Sequence, residues 1–151
     1  VPPSYAGRAH NPIICAMDDQ DRAAEFITSR ADAARAQLGS DLVIAGGWAF
    51  ANNVLPIDPA NDRTPLSEQV EAQTRKVLEN FDAILKAKGL RRDQVVAVRI
   101  ALADLARFEE RMESAYAGFF PADRLPARSV IGVSTLPRGA LIAMDFTLYL
   151  G

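Results

Sequence analysis

His10 and Cys15 are the chain's single histidine and single cysteine, and that scarcity removes most of the common catalytic sets. One of each cannot build a zinc site of the usual kind, and a serine nucleophile would have no spare base for a Ser-His-Asp triad. The two lie five residues apart near the N-terminus, where a Cys–His pair becomes reactive only in a structured, electropositive setting. The nucleotide patterns GxGxxG and GxxxxGKS/T and the metalloprotease pattern HExxH are absent. Arg128 lies in a short apolar stretch, on one face with Val130 and Gly132. An arginine there is costly to bury unless a carboxylate meets its planar fork. That carboxylate belongs either to a ligand or to an acid within or between subunits.

The elements that would position these groups follow from periodicity. Residues 1–37 read as an N-terminal arm, irregular over its first twelve residues, with a short helix capped by Asp18 or Asp19 and running to about Arg30. Residues 38–151 read as one domain, with Ala31 to Leu38 favoured as a strand leading into it. Asp41 to Ala51 is an apolar run broken by Gly46-Gly47, as in a buried strand ending in special backbone, and Asn52 to Thr64 reads as loop. Thr64-Pro65 is expected to open a long helix with Val70, Val77, Leu78, Phe81, Ile84 and Leu85 as its apolar stripe and Gly89 as its stop. Gln94 to Ala103 reads as a strand with Val96, Val98, Ile100 and Leu102 on one face and Val95, Ala97, Arg99 and Ala101 on the other. Asp104 should cap a second helix through Phe108, Met112 and Tyr116. Two strands close the chain, near Ala127–Val133 and Ala140–Leu150. The last has Ile142, Met144, Phe146, Leu148 and Leu150 on one face and Ala143, Asp145, Thr147 and Tyr149 on the other. The order is strand, helix, strand, helix, strand, strand, an α+β sandwich with both helices on one sheet face. The bare face is semi-apolar and needs cover, which predicts a homo-oligomer.

Composition narrows the class. The 151 residues are 49% hydrophobic and 24% charged, an ordinary globular balance for one domain. A net charge of −2 and a pI near 5.4 disfavour nucleic acid as a partner. No apolar run approaches the ~18 residues that span a bilayer. Val1 to Arg8 lacks a basic-then-apolar signal pattern, and the opening valine points to processing or trimming. With a single cysteine the expected location is the reducing cytoplasm.

Several segments share an order and spacing with one known family. Leu42-Val-Ile-Ala-Gly-Gly47 looks like a strand ending in Ser-Gly-Gln, and Ile57-Asp-Pro-Ala60 like the loop after it. Ala72-Gln-Thr-Arg75, Asn80, Val95 to Asp104, Phe108 and Tyr116-Ala-Gly-Phe-Phe120 fall in place along the two helices and the strand between them. Pro126-Ala-Arg-Ser129, Val133 and Leu136-Pro-Arg-Gly139 complete the set. From about Leu38 to Leu150 the chain resembles the RidA/YjgF family. The resemblance implies a chorismate-mutase-like fold: a mixed β-sheet with two long helices on one face, assembled as a homotrimer around a central barrel. It implies sites in the clefts between subunits and hydrolysis of reactive enamines or imines that releases ammonia. No cofactor is implied, because an imine already carries an electrophilic carbon. Arg128 matches the arginine that holds the substrate carboxylate, and the Gly46–Gly47 backbone matches the segment that helps hold it.

The departures bear on function. The glutamate that orients water in deaminating relatives falls at Ala143, and a methyl group cannot polarise water. An aromatic falls at Ala101, a threonine at Arg99, a tyrosine at Asp32, an asparagine at Glu113, and the glutamine after Ser-Gly at Trp48. About six extra residues lie between Gly47 and Ile57. Ala101 and Ala143 would enlarge the cleft beside Val130, and Arg99 would add charge or pair with an acid inside the barrel. Trp48 would line the site, the core or the trimer interface. Glu113 and Asp145 are replacement carboxylates, each a general acid or base only where burial brings it toward neutrality, or else solvated. The expected function is hydrolysis of an imine, enamine or related small-to-medium carboxylate substrate in an altered pocket. The alternative is a non-catalytic carboxylate-binding or regulatory trimer, with an endoribonuclease less favoured.

Overall fold

A computed structural model describes residues 23–28 and 39–151. Six strands form one mixed sheet: β1 (Glu25–Ile27), β2 (Leu42–Ala45), β3 (Trp48–Val54), β4 (Val95–Leu102), β5 (Ala127–Gly132) and β6 (Ile142–Tyr149). Their spatial order is β1-β2-β3-β6-β4-β5, antiparallel except for the parallel pair β4–β5. Helices α1 (Val70–Ala87) and α2 (Leu105–Tyr116) cover one face. Among the described residues no helix is long and apolar enough to cross a membrane.

The core follows from the two periods read in the sequence. The α1 stripe of Val70, Val77, Leu78, Phe81, Ile84 and Leu85 is buried against Ile142, Met144, Phe146 and Leu148 of β6. Phe81 stacks on Phe146 with ring centroids 3.6 Å apart and planes 4° from parallel. Two buried amides tie α1 to the surrounding backbone. Asn80 Nδ2 donates to Leu55 O at 2.9 Å and Ile57 O at 2.8 Å, and Gln73 Oε1 accepts from Leu141 N at 2.8 Å. Asp104 Oδ1 accepts from Arg107 N at 3.1 Å and caps α2 as expected.

Five local expectations are corrected. Glu25–Ile27 is a strand rather than part of a helix, pairing with Leu42–Ile44 at the sheet edge. The remainder of that expected helix, and the strand favoured over Ala31 to Leu38, lie outside the described residues. Gly46-Gly47 ends β2 in special backbone as expected, but the chain turns back there into a further strand that was not expected: φ values of 55° and 82° make the two-residue hairpin turn that pairs Ala45 with Trp48. Among the described residues three strands therefore precede α1, and β3 runs on through Asn52–Val54, where the sequence suggests loop. The first long helix starts at Val70, not at Thr64-Pro65. Ser67 Oγ accepts from Gln69 N at 3.1 Å and Ser67 O accepts from Gln73 Nε2 at 2.6 Å, holding the approach in an extended turn. In β4 the register shifts between Val95 and Ala97, which sends Val95 into the core and leaves Val96 exposed, the reverse of strict alternation.

Two stability predictions follow. Asn80→Ala leaves two buried carbonyls without their donor and should cost about 1–3 kcal/mol in denaturant unfolding. The second concerns Asp82, at 2.8 Å from Arg92 Nε and 2.9 Å from Lys86 Nζ. Arg92 itself lies over the Phe119 ring at 4.0 Å. Its hydrogen bond, and then that of Lys86, hold the Asp82 carboxyl below the usual aspartate range against the opposing effect of burial. A depressed folded-state pKa means that the unfolded chain binds the proton more readily. The stabilisation is therefore complete above the unfolded value of about 3.9 and is lost as pH falls through the folded value. Asp82→Asn should lower stability at pH 7 and converge with the parent in strong acid, as read by thermal melts across pH.

Candidate functional site

The register of β5 decides which way each candidate side chain faces. Arg128 pairs with buried Val98 and Val130 with buried Ile100, so both face the helices. Ser129 pairs with Arg99 and Ile131 with Ala101, on the open face. Asp145 and Ala143 of β6 are the other neighbours of Arg99 and Ala101 and share that open face. The residues expected to form one site are thus divided between the two sides of the sheet.

On the helix side, α2 brings Glu113 and Tyr116 to Arg128; a spacing of three puts both on one flank of the helix. Arg128 Nη2 donates to Glu113 Oε1 at 2.7 Å, and its guanidinium carbon lies 5.5 Å from the centre of the Tyr116 ring. The acid within the chain, one of the two partners expected for Arg128, is therefore present. The pair is open to solvent, with side-chain exposures of 34% for Arg128 and 44% for Glu113, and such pairs are worth about 0–1 kcal/mol. A ligand carboxylate meeting the guanidinium fork can displace it at little cost. The burial that Glu113 needed for acid–base work is not supplied by this chain alone. Tyr116 is half-buried, and that burial raises its phenol above the usual range, against the opposing charge of Arg128.

Two cavities flank Arg128. One, of about 480 Å³, runs from Arg128 and Glu113 past Tyr116 and Phe120 to Leu125 and Pro126. The other, of about 420 Å³, opens on the far face and is lined by Phe50, Asn52, Arg99, Ser129, Asp145 and Thr147, with the backbone of β5 at its wall. Asp145 does structural work there. Its Oδ1 accepts from Asn53 N at 2.7 Å, and Asn53, at φ 54°, sits in the irregular stretch of β3 between Ala51 and Val54. Glu113 and Asp145 are not brought together within one chain.

Ala143 borders neither cavity. It is buried at 5% exposure in a small cluster with Leu55, Ile57 and Ala140, so within one chain its small side chain opens no space. Gly46, Gly47 and Trp48 lie at the β2–β3 turn, three strand spacings (about 14 Å) from β5. Gly47 O accepts from Leu150 N at 2.8 Å, and a side chain at Gly47 would come within 3.1 Å of Gly151 O as well as meeting a φ of 82°. Trp48 is not in the core: it is exposed on the open face against Tyr149, with ring centroids 5.0 Å apart. His10, Cys15 and Asp32 lie outside the described residues. Among the described residues, no group of three His, Cys, Asp or Glu is placed to hold a metal ion.

Sequence reasoning placed Tyr116 on the second helix without a role at the site, and gave none to Leu125 or Asn53. The Glu113–Tyr116 spacing was a usable signal for the first. Nothing local marks Leu125, whose place beside Arg128 depends on the turn between α2 and β5.

The similarities to known proteins agree with this architecture. Residues 28–149 match the sequence model of the family described as endoribonuclease L-PSP. A RutC family protein of Pyrococcus horikoshii is 36% identical over 110 residues, 73% of this chain and 85% of that protein. The chloroplastic Reactive Intermediate Deaminase A of Arabidopsis thaliana is 41% identical over 106 residues, 70% of this chain and 55% of that longer protein. The crystal structure of a conserved Rid-family protein of unknown function from Yersinia pestis superposes with a TM-score of 0.73 at 30% identity, covering 84% of this chain and 99% of that one. With a six-stranded mixed sheet and two helices on one face among the described residues, and with these relatives, the chain belongs to the RidA/YjgF family, whose sequence model carries the description endoribonuclease L-PSP.

Proposed function

We propose that this chain hydrolyses an imine or enamine bearing a carboxylate, at sites formed between the copies of a homotrimer. The observation that carries the reading is Arg128. It is a guanidinium on the edge strand beside two cavities, and its ion-pair partner among the described residues is a solvent-exposed carboxylate that a ligand can replace. The site residues are split between two faces, and Gly47 lies three strands away from Arg128. One ligand can therefore meet both sets only if the open face of a second copy approaches the β5 edge of the first. The exposed Trp48, Phe50, Ile131 and Tyr149 give that face an apolar reason to be covered.

In this reading Arg128 anchors the carboxylate and water adds to the C=N carbon. The carbinolamine then collapses to a carbonyl, and nitrogen leaves as ammonia. Glu113, beside the anchor, is the preferred group to take the proton from water and return it to nitrogen, with a neighbouring copy supplying the burial it lacks in the single chain. Asp145, engaged with Asn53, is the second choice. A non-catalytic carboxylate-binding trimer is the competing reading, favoured by one observation. The position to which the family resemblance assigns a water-orienting glutamate is Ala143, surrounded by Leu55, Ile57 and Ala140. The chain's net charge of −2 disfavours a ribonuclease.

Sedimentation at micromolar concentration should give three times the 16.4 kDa chain mass; a stable monomer would remove the shared site. Ammonia release from the 2-iminoacid derived from serine should be slow relative to ordinary deaminases and should fall further in Glu113→Gln. Arg128→Ala should cost roughly 30- to 5,000-fold in catalytic efficiency or carboxylate affinity, and Arg128→Lys should lose most of it too, because the charge survives without the fork. The trimer of Arg128→Ala should melt within a few degrees of the parent. Carboxylate binding without ammonia release would favour the non-catalytic reading. A collapsed Arg128→Ala trimer, with no carboxylate bound by the parent, would make Arg128 structural.

A further inference from the structure

We infer that the ligand of this site is a carboxylate with a large apolar, branched or aromatic, tail, and that the tail occupies the cavity on the helix side of Arg128. The inference rests on the reading of Arg128 as a carboxylate anchor and adds to it the rest of the molecule. The two cavities beside Arg128 differ in chemistry. The open-face cavity is mixed: it sets Phe50 among Asn52, Arg99, Ser129, Asp145 and Thr147, so charged and polar groups lie along its wall beside the one aromatic ring. The helix-side cavity has its charge at one end only, in the Arg128–Glu113 pair. Beyond it come Tyr116, Phe120, Leu125 and Pro126, with Ala117 and Gly118 adding no bulk.

Size points the same way. At about 480 Å³, the cavity falls in the range of roughly 300–1,000 Å³ typical of pockets for much larger ligands than a three-carbon acid. The wall is also built to stay open. Phe120 is buried at its base, in edge contact with Phe119 at 4.9 Å and tilted against Tyr116 at 5.7 Å, so the aromatic floor is braced from behind. Leu125 stands at the mouth at 70% exposure, in the turn between α2 and β5. A leucine left in water at the rim of an apolar cavity that ends in a guanidinium is placed to close over an apolar group held by its carboxylate. Glu113 then faces the atoms next to that carboxylate, where an imine or amine nitrogen would donate to it.

Calorimetric titration of the full chain with pyruvate, 4-methyl-2-oxopentanoate and phenylpyruvate tests this. All three carry the same 2-oxo carboxylate and differ only in the tail. Phenylpyruvate should bind on the order of tenfold or more tightly than pyruvate, with 4-methyl-2-oxopentanoate between them. Leu125→Ser, at an exposed position that the fold does not need, should shrink the phenylpyruvate-to-pyruvate affinity ratio several-fold. Equal affinities across the series would overturn the tail assignment while leaving Arg128 as the anchor. Binding of none of the three would overturn the anchor and the tail together. An unchanged ratio in Leu125→Ser, with the assembly dissociating in sedimentation, would place a second copy rather than a ligand tail in the cavity and also overturn the inference.

Discussion

Phe81 of α1 lies flat on Phe146 of β6, ring centroids 3.6 Å apart, and this contact sets which face of the sheet is closed. β6 sits between β3 and β4, so its alternation propagates to both neighbours through the ladder. Ile142, Met144, Phe146 and Leu148 turn inward, and with them Val98, Ile100 and Leu102 of β4. β5 inherits its orientation one strand further out, in parallel register. That Arg128 faces the helices while Arg99 faces away is therefore a consequence of core packing two strands removed. A one-residue slip anywhere along this path would exchange the two faces.

The closed face carries an arginine, Arg128, whose carboxylate partner is weakly held. Arg128 and Glu113 are joined by a short charge-assisted hydrogen bond, yet both are solvated, and solvation makes the bond replaceable. A fully buried pair of the same geometry would resist displacement, because removing one partner would strand a charge. The arrangement keeps the guanidinium oriented in the free protein and, under the proposed function, leaves it available to a ligand carboxylate. The Tyr116 ring beside it adds an aromatic surface that favours the cation and limits its wandering.

The open face is organised differently. Its acid, Asp145, is committed to the backbone of Asn53 and thereby holds an irregular stretch of β3 in place. Its aromatic residues, Trp48 and Tyr149, lean on each other rather than on the core. A face with braced polar groups and exposed aromatic rings suits contact with another surface.

Much of this was legible in residue order. The α1 stripe, the alternation of β6, the Asp104 cap and the Arg128 motif are local patterns with periods of 3.6 or 2, or fixed short spacings, and the chain alone specifies them. The places where reading failed are places where non-local bonds override local preference. Thr64-Pro65 has the chemistry of a helix start, but the Ser67 and Gln73 hydrogen bonds delay the helix to Val70. Val95 and Val96 are interchangeable in sequence, and only the register shift against β6 decides which is buried. Asn53 reads as loop until Asp145, 92 residues away, accepts its amide hydrogen. Most of all, Glu113 and Asp145 were equivalent carboxylates in the sequence. Tertiary structure put one beside Arg128 and the other on the opposite side of the sheet, because the face a strand residue occupies depends on which side the helices cover.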